Sequence, residues 1–296
     1  MRASGVVSAA ASRAAEHCQI WGILNITPDS FSDGGEFVRP ADALAHARRM
    51  LDEGADVIDV GGASSRPRGA LYGAGAPELT PAEECARALP VVTALVRELG
   101  ATVSIDTRQA EVAAAALDAG ACIVNDVSCG ASRELLAVAA ERGARYVLMH
   151  TRGDGAVEPP NTEYADVVGE VVAELLAAVA RAEASGIHRA RLLIDPGLGF
   201  AKTARQSARV LGRIDALVAT GLPVLCGPSR KGFIAELAPA ASGERPPPRG
   251  REPGTLAAVT AAVLQGASAV RVHDVAAGRQ AARLAEAMRA EPGRAC

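Results

Sequence analysis

The sequence predicts an α/β protein built as a single-domain (β/α)8 TIM barrel, and three observations lead to this prediction. Short apolar runs of strand length recur along the 296 residues. Each run is followed by a turn and then by an alanine-rich stretch of helical character. Nearly every apolar run also ends in a polar residue. Strands that alternate with helices form a parallel sheet with right-handed crossovers, and about eight such units in a chain of this length fit a barrel.

The candidate strands are apolar runs bounded by turn residues. In chain order they are IWGILN (20–25), DVIDV (56–60), TVSID (102–106), CIVND (122–126), RYVLMH (145–150), RLLID (191–195), PVLCG (223–227) and AVRVH (269–273). A doubly wound open sheet is the structural alternative. It would normally carry a GxGxxG turn after its first strand, and LNITPDSFSDGG does not have this pattern.

Helical segments occupy the stretches between these strands. The clearest are 40–54, 80–100, 109–120 and 133–143, and each of them ends at glycine, as helices commonly do. The proline-rich piece ERPPPRGREPG (244–254) is predicted to be a surface loop between the seventh and eighth units, because the strand–helix alternation resumes beyond it. The barrel is assigned to 19–291, with a disordered leader at 1–18 and a tail at 292–296. An organelle transit peptide is the alternative for the leader.

Composition excludes several classes of function. A formal net charge of -3 gives no electrostatic basis for binding nucleic acid. No apolar run approaches the roughly 18 residues of a membrane span. The six cysteines show no CxxC or Cys/His metal spacing and are typical of a reducing compartment, so a cytoplasmic location is expected.

Polar residues mark the ends of the candidate strands, where the loops of a barrel form its active-site face. In chain order these are Asn25, Gly61–Gly62, Asp106, Asn125 with Asp126, His150, Asp195, Ser229–Arg230–Lys231, and Arg271 with His273. Each one alone has a simpler explanation as a turn residue or helix cap. Arg271 could form a rim salt bridge, His150 could be core or rim, and His46 and His188 are expected to be idle in helical surface stretches. Because polar residues recur at nearly every strand end, an active site at this face is favoured over unrelated turn residues.

The residue types at these ends indicate the ligand chemistry. Asp106, Asn125 and Asp195 offer hydrogen-bonding groups for a nitrogen-rich heterocycle. Asn25 offers a neutral oxygen that suits Mg²⁺ shared with phosphates. No Ser–His–Asp or Cys–His spacing indicates a covalent nucleophile, so direct displacement is favoured. A basic set is suited to an anion such as a phosphate: Arg66, Lys231, Arg271 and His273.

The motifs that carry these residues resemble those of dihydropteroate synthases, in the same order. They are GILNITPDSFSDGG, DVGGASSRP, SIDT, IVNDVS, VLMH, LLIDPGLGFAKT, SRKGFI and VRVHDV, and they extend from Trp21 to Val275. The resemblance implies a transferase of folate biosynthesis. Such an enzyme joins 4-aminobenzoate to (7,8-dihydropterin-6-yl)methyl diphosphate and releases 7,8-dihydropteroate and diphosphate. It also implies Mg²⁺ as cofactor, these two small molecules as substrates, sensitivity to sulfonamides and, as for many barrels of this type, a homodimer.

The resemblance also assigns roles to residues. It places the pterin on Asp106, Asn125, Met149, Asp195, Phe200, Gly227 and Lys231. Mobile loops at 27–35 and 64–67 are implied to close over aminobenzoate, through Thr27, Pro28, Phe31, Ser64, Ser65, Arg66 and Pro67. The diphosphate is implied to contact Asn25, Arg66, Arg271 and His273, with Mg²⁺ on Asn25. The catalytic set is Asp106, Lys231, Arg66, Arg271 and His273.

This chain departs from the pattern at a few positions. Dihydropteroate synthases usually have Glu where this chain has Ala63 and often Thr at Pro228. They often have Asn near Ser207, and the turn after Pro67 is longer here than is common. Ala63 and the long turn adjoin the second loop, so atypical binding of sulfonamides is a hypothesis. Two other functions stay open at this stage: a non-catalytic pterin-binding paralogue and a pterin-dependent methyltransferase domain.

Overall fold

Each of the eight predicted runs forms a strand. The computed structural model describes residues 17–26, 40–63, 79–153 and 155–289. The strands of this described part are β1 (Gln19–Asn25), β2 (Val57–Gly61), β3 (Val103–Asp106), β4 (Ile123–Asp126), β5 (Arg145–Met149), β6 (Leu192–Asp195), β7 (Leu225–Cys226) and β8 (Ala269–Val272).

The strands close into a barrel. They are all parallel and lie in the order β6-β5-β4-β3-β2-β1-β8-β7. The two ends of this sheet meet through a parallel bridge between Ile194 and Val224, and the amide of Ile194 donates to the carbonyl of Pro223 at 3.0 Å. The predicted (β/α)8 barrel is therefore confirmed.

Helices cover the outside of the barrel. In the described ranges they are α1 (Pro40–Asp52), α2 (Pro81–Leu99), α3 (Ala110–Asp118), α4 (Arg133–Glu141), α5 (Val167–Ala184), α6 (Ala204–Leu211), α7 (Ile214–Val218), α8 (Gly232–Leu237), α9 (Glu252–Leu264) and α10 (Val275–Arg289). Short 3-10 turns lie at Arg189–Arg191 and Pro248–Arg251. No helix in this part of the chain is long and apolar enough to cross a membrane.

Two helices that follow loops of the strand-end face begin with capping boxes. At α2 the Thr80 hydroxyl accepts from the Glu83 amide, and the Glu83 carboxylate accepts from the Thr80 amide at 2.9 Å. Thr203 and Gln206 form the same pair at α6. A side-chain cap stabilises a helix start by about 1 kcal/mol. These caps determine where the loops after β2 and β6 end.

The inner face of the barrel has an apolar layer below a polar one. The apolar layer consists of Trp21, Val57, Ile123, Val147, Leu193, Leu225 and Ala269. Side chains alternate along a strand with a period of two, so the residue two positions further also points inward. That rule places four polar side chains directly above the apolar layer: Asp59, Asn125, Asp195 and Arg271.

Two of the local predictions need correction. Residues 244–254 lie within the crossover from β7 to β8, and their last three residues begin α9, because Pro253 fits the first turn of a helix. His188 does not lie in a helix of the outer layer. It caps a 3-10 turn, where its Nδ1 accepts from the Ala190 amide at 3.2 Å. His46 lies in α1 as expected.

Candidate active site

A buried ion pair forms the centre of the polar layer. Nη1 of Arg271 lies 3.0 Å from Oδ2 of Asp59, and the Asn125 amide donates to the same oxygen at 3.1 Å. Nη2 of Arg271 lies 3.9 Å from Oδ2 of Asp195. Burial alone would lower the pKa of Arg271, but the carboxylates of Asp59 and Asp195 raise it. Residues from four strands therefore meet at one end of the barrel.

Three buried acceptor atoms of this layer have no hydrogen-bond partner in the described structure. They are Oδ1 of Asp59, Oδ1 of Asn125 and Oδ2 of Asp195. The other oxygen of Asp195 accepts from the Gly197 amide at 2.7 Å, which fixes the orientation of the carboxylate. A buried acceptor without a donor costs about 1–3 kcal/mol. The layer therefore offers binding free energy to a ligand that is rich in N–H groups.

An apolar wall adjoins these acceptors. Val127, Met149 and Phe200 form a buried cluster of their own, separate from the main core. The ammonium of the half-buried Lys231 lies 4.2 Å from the centre of the Phe200 ring. Burial, followed by the neighbouring Arg271, lowers the pKa of Lys231 to about 8. An apolar wall beside unpaired acceptors suits a flat polar ring.

Asp106 lies at the end of β3, in register with Gly61 of β2 and Asn125 of β4. Burial, followed by the charge of Asp59, raises the pKa of Asp106 to about 7, while Arg271 opposes this shift. The carboxyl group therefore keeps its proton to a higher pH than an exposed aspartate does. A developing positive charge beside it would favour the ionised form.

His273 differs from the prediction that it belongs to a set of positive groups. Burial, followed by the charges of Arg230 and Arg271, lowers its pKa to about 3, so the ring is neutral near pH 7. The Ser229 hydroxyl lies 2.8 Å from Nδ1 of His273 and accepts from the His273 backbone amide. We assign the hydroxyl as the donor to Nδ1, which leaves the ring proton on Nε2. His273 can donate a hydrogen bond to an anion but adds no charge.

Three other strand-end residues do not face the site. Asp126 is buried and accepts hydrogen bonds from Ser128, Gly130 and Tyr146, so it anchors the turn after β4. His150 belongs to the core, with no exposed surface. Arg230 turns toward α9, where its Nε lies 3.2 Å from a carboxylate oxygen of Glu252.

Glycines near the site make room for protein groups. A side chain at Gly197 would place Cβ 1.9 Å from the carbonyl oxygen of His150, so the close approach of β5 requires glycine there. A Cβ at Gly227 would lie 3.2 Å from Nη2 of Arg271. Gly227 thus leaves space for the guanidinium that joins Asp59.

Comparisons with known proteins agree with this geometry. Residues 21–273 match the family described as pterin binding enzyme. The dihydropteroate synthase of Mycobacterium leprae is 48% identical over 270 residues, which is 90% of this chain and 92% of that protein. The Escherichia coli K12 synthase is 39% identical and covers 92% of each chain. This chain belongs to the dihydropteroate synthase family.

Solved dihydropteroate synthase structures have the same fold. The Xanthomonas albilineans enzyme with 4-aminobenzoic acid superposes with a TM-score of 0.83 at 40% identity, over 94% of this chain and 95% of that one. The same enzyme has also been solved with 7,8-dihydropteroate, at a TM-score of 0.80 and 38% identity over the same shares. The Yersinia pestis enzyme in a sulfonamide complex gives 0.82 at 36% identity, over 92% and 94% of the chains. These relatives favour a synthase over a non-catalytic paralogue or a methyltransferase domain.

Asn25 is the predicted metal ligand in this synthase fold. It is exposed at the end of β1, and its Oδ1 lies 3.4 Å from the position that a Cβ on Gly61 would occupy. No cluster of three His, Cys, Asp or Glu side chains within the described ranges could hold a metal ion. A neutral oxygen at the barrel mouth fits Mg²⁺, which takes few protein ligands and keeps waters or phosphate oxygens.

Seven predicted residues of the aminobenzoate and diphosphate sites lie outside the described residues. They are Thr27, Pro28, Phe31, Ser64, Ser65, Arg66 and Pro67. The long turn after Pro67 lies there as well.

Three residues near the site were absent from the sequence prediction. Asp59 belongs to the polar layer, and Val127 belongs to the apolar wall. Lys202 contacts the backbone of the turn that contains Phe200. Asp59 stands in mid-strand, two positions beyond the inward-facing Val57. Counting by twos along each strand would have identified it, whereas attention to strand ends alone does not.

Proposed function

We propose that this chain catalyses the dihydropteroate synthase reaction. It transfers the (7,8-dihydropterin-6-yl)methyl group from diphosphate to the amino group of 4-aminobenzoate: the carbon–oxygen bond to diphosphate breaks, a carbon–nitrogen bond forms, and the amine loses a proton. The observation that carries this proposal is the set of unpaired buried acceptors on Asp59, Asn125 and Asp195 beside the cations Arg271 and Lys231. The unpaired acceptors suit the N–H groups of a pterin, and the two cations suit a departing anion.

The pterin ring is expected to lie against the apolar wall of Val127, Met149 and Phe200, with its N–H groups directed at the unpaired acceptors. Each acceptor that gains a donor recovers about 1–3 kcal/mol of desolvation cost. A ring of the same shape without these N–H groups would leave the acceptors unpaired. The site therefore selects its substrate by hydrogen bonding more than by size.

Departure of diphosphate drives the proposed chemistry. Loss of the anion leaves positive character on the pterin methylene, and the carboxylates of Asp59, Asp106 and Asp195 are placed to stabilise it. Arg271 and Lys231 supply positive charge to the anion, and neutral His273 supplies a hydrogen bond from Nε2. Arg66 is expected to complete this set. The arylamine is already neutral near pH 7, so its attack requires no strong general base.

Magnesium is the expected cofactor, with Asn25 as its protein ligand. When bound to the diphosphate, the ion would neutralise part of the negative charge that develops there. The two loops predicted to close over aminobenzoate would exclude water, which otherwise captures the pterin cation.

Sulfonamide binding is expected to be atypical. Ala63 stands at the start of the second loop, where dihydropteroate synthases usually have Glu. A sulfonamide dose–response curve, measured beside that of a sensitive dihydropteroate synthase, tests this expectation. Identical curves would contradict it.

We also propose a homodimer in the cytoplasm. Leu264 of α9 and Leu284 and Met288 of α10 are exposed, and the two helices pack side by side. The five cysteines in the described part are unpaired, which suits a reducing compartment. Light scattering is expected to give twice the chain mass of 30.1 kDa, and a monomer would contradict the dimer.

A coupled assay for diphosphate release tests the proposed reaction. The assay contains the pterin diphosphate, with and without 4-aminobenzoate and with and without Mg²⁺. We expect release that requires both additions. Release that is independent of aminobenzoate, or no release at all, would contradict the proposal.

A further inference from the structure

Lysine occurs only twice in this sequence, at Lys202 and Lys231, and the rest of the 31 lysines and arginines are arginines. The two side chains can replace each other at many exposed positions, but they differ wherever a buried group must reach fixed partners. Lys231 lies at the site, against Phe200. Lys202 has no part in the chemistry above, although it is 1% exposed.

Three acceptors surround the ammonium of Lys202. Its Nζ lies 2.7 Å from Nδ1 of His150, 3.2 Å from the Phe200 carbonyl oxygen and 3.3 Å from the Gly197 carbonyl oxygen. A protonated lysine has three donors and no acceptor, so the partners match the charged form in number. A planar guanidinium presents its donors in a fixed fork and would not reach three acceptors placed around one point.

His150 connects this ammonium to the outer helix α5. Because Nδ1 accepts from Lys202, Nε2 carries the proton and donates to Oε2 of Glu174 at 3.0 Å. Burial, followed by the charge of Lys202, lowers the pKa of His150 to about 4, so the ring is neutral near pH 7. Glu174 also accepts from Nε of Arg152. In its protonated form, Lys202 thus faces a carboxylate across one neutral ring.

Lys202 joins the two ends of the turn that follows Asp195. At one end, the Gly197 amide donates to Oδ1 of Asp195 and leaves Oδ2 without a hydrogen-bond donor. At the other end, Phe200 supplies the aromatic part of the apolar wall. The carbonyl oxygens of Gly197 and Phe200 accept from the same ammonium. Movement of either residue would therefore change both the acceptor and the wall.

We infer that Lys202 is a positioning residue for the pterin half of the site, in which one buried ammonium holds the Gly197 and Phe200 carbonyls and thereby sets Asp195 and Phe200 against the pterin. This inference rests on the proposed function. It assigns Lys202 no contact with either substrate.

Other hydrogen bonds hold the same turn and allow the role of Lys202 to be measured separately. The Gly199 amide donates to the Ser207 hydroxyl at 3.1 Å, and the Tyr164 hydroxyl donates to the Ala201 carbonyl at 3.0 Å. Tyr164→Phe is a matched control, because it removes a bond to this segment without touching the carbonyls of Gly197 or Phe200.

The experiment compares Lys202→Met, Tyr164→Phe and the wild-type chain. Binding of 6-hydroxymethylpterin is measured by calorimetry, and steady-state kinetics give kcat and a KM for each substrate. For Lys202→Met we expect pterin binding to weaken and the KM of the pterin substrate to rise, each about tenfold, since charged hydrogen bonds are lost. The KM of aminobenzoate and kcat are expected to change less than about threefold. Tyr164→Phe is expected to bind pterin within about twofold of wild type.

Two results would overturn the inference. One is wild-type pterin affinity in Lys202→Met. The other is a fall in kcat with both KM values unchanged, which indicates only a loss of folded enzyme. Failure of the wild-type chain to bind 6-hydroxymethylpterin would instead contradict the proposed function.

A second measurement uses the wild-type fold and does not depend on the stability of Lys202→Met. Lysine labelled with ¹³C and ¹⁵N gives two ammonium signals, because the chain has two lysines. Lys231→Met removes one signal and so assigns the other to Lys202. We expect the Lys202 signal to exchange its protons slowly and to shift when 6-hydroxymethylpterin is added, but not when aminobenzoate is added alone. A Lys202 signal that ignores the pterin would overturn the inference.

Discussion

Both lysines of this chain contact Phe200, one at its ring and the other at its carbonyl oxygen, and they differ in how their ammonium groups are paired. Lys231 is half-buried, its ammonium makes no hydrogen bond within the described structure, and that ammonium lies over the Phe200 ring. Lys202 donates to three acceptors, one of them the Phe200 carbonyl. Burial lowers the pKa of both, to about 8 for Lys231 and about 7 for Lys202.

The acceptors near the two lysines show the same contrast. In the polar layer near Lys231, Asp59, Asn125 and Asp195 each have a buried oxygen that no hydrogen-bond donor contacts. In the turn that Lys202 contacts, the carbonyls of Gly197 and Phe200 both accept from its ammonium, and the Gly197 carbonyl also accepts from the Phe200 amide. Unpaired buried groups are costly, so their concentration on one side indicates where the ligand binds. The hydrogen bonds of Lys202 to the two carbonyls hold that arrangement in place.

Lys231→Met is expected to have the largest effect on activity. Within the described residues the ammonium donates to no protein acceptor, so we expect it to serve the substrates, and kcat/KM should fall by about 10²–10³. The thermal midpoint should stay the same or rise, because a partly buried charge without a hydrogen bond is removed. Steady-state kinetics and a melting curve check both expectations. A large loss of stability with activity retained would reverse the roles assigned to the two lysines.

Acid should destabilise the hydrogen-bonded group formed by Lys202, His150 and Glu174. The pKa of His150 is about 4 in the folded chain, below the ordinary value of 6.5. A depressed pKa contributes stability above pH 6.5 that is lost as pH falls toward 4, which amounts to about 3 kcal/mol for this shift. His150→Gln keeps an acceptor for Lys202 and a donor for Glu174. Urea unfolding at pH 7 and pH 4.5 should show a smaller loss in this variant, and an equal loss would contradict the assignment.

Asp59→Asn should lower activity because it disturbs the polar layer of the site. It breaks the charged hydrogen bond with Arg271, worth about 1.5–3 kcal/mol, so kcat/KM should fall on the order of 10–100-fold. The charge of Asp59 raises the pKa of Asp106, so any limb of the pH–rate profile that reports Asp106 should move to lower pH. Asp215→Asn breaks an exposed pair with Arg213 and serves as the control with little effect. Equal activity in both variants would rule out a role for Asp59.

Ser207→Ala should have the smallest effect. It removes the hydroxyl that accepts from the Gly199 amide, one neutral hydrogen bond worth about 1 kcal/mol. The KM of the pterin substrate should rise less than about threefold, well below the change expected for Lys202→Met. A larger rise from Ser207→Ala than from Lys202→Met would mean that the hydroxyl, and not the ammonium, positions the turn.

Much of this fold could be predicted from the sequence, because strand and helix periods are local properties. The predicted strands agree with the observed ones to within one residue at each end for seven of the eight runs. The exception is β7, which has only two residues because only Leu225 and Cys226 pair with β8. Strand ends also correctly indicated the meeting of Asp195 with Arg271.

The remaining features depend on contacts that are distant in sequence. Asp59 is recognised only once its inward direction and its pairing with Arg271 are known. The neutrality of His273 follows from burial and from the charges of Arg230, which comes from the segment after β7, and of Arg271 in β8. Lys202 stands in a turn, where nothing in its neighbours indicates that its side chain folds back on Gly197 and Phe200.

Pterin binding to Asp195→Asn tests the central claim most directly. Oδ1 of Asp195 is committed to the Gly197 amide, so the asparagine oxygen must take that place and its NH₂ must face the site. A donor would then oppose the donors of the pterin. Calorimetry with 6-hydroxymethylpterin should show affinity reduced by about 100-fold or more, since an unpaired buried group replaces a charged hydrogen bond. Unchanged affinity would mean that the buried acceptors of the barrel do not bind the pterin.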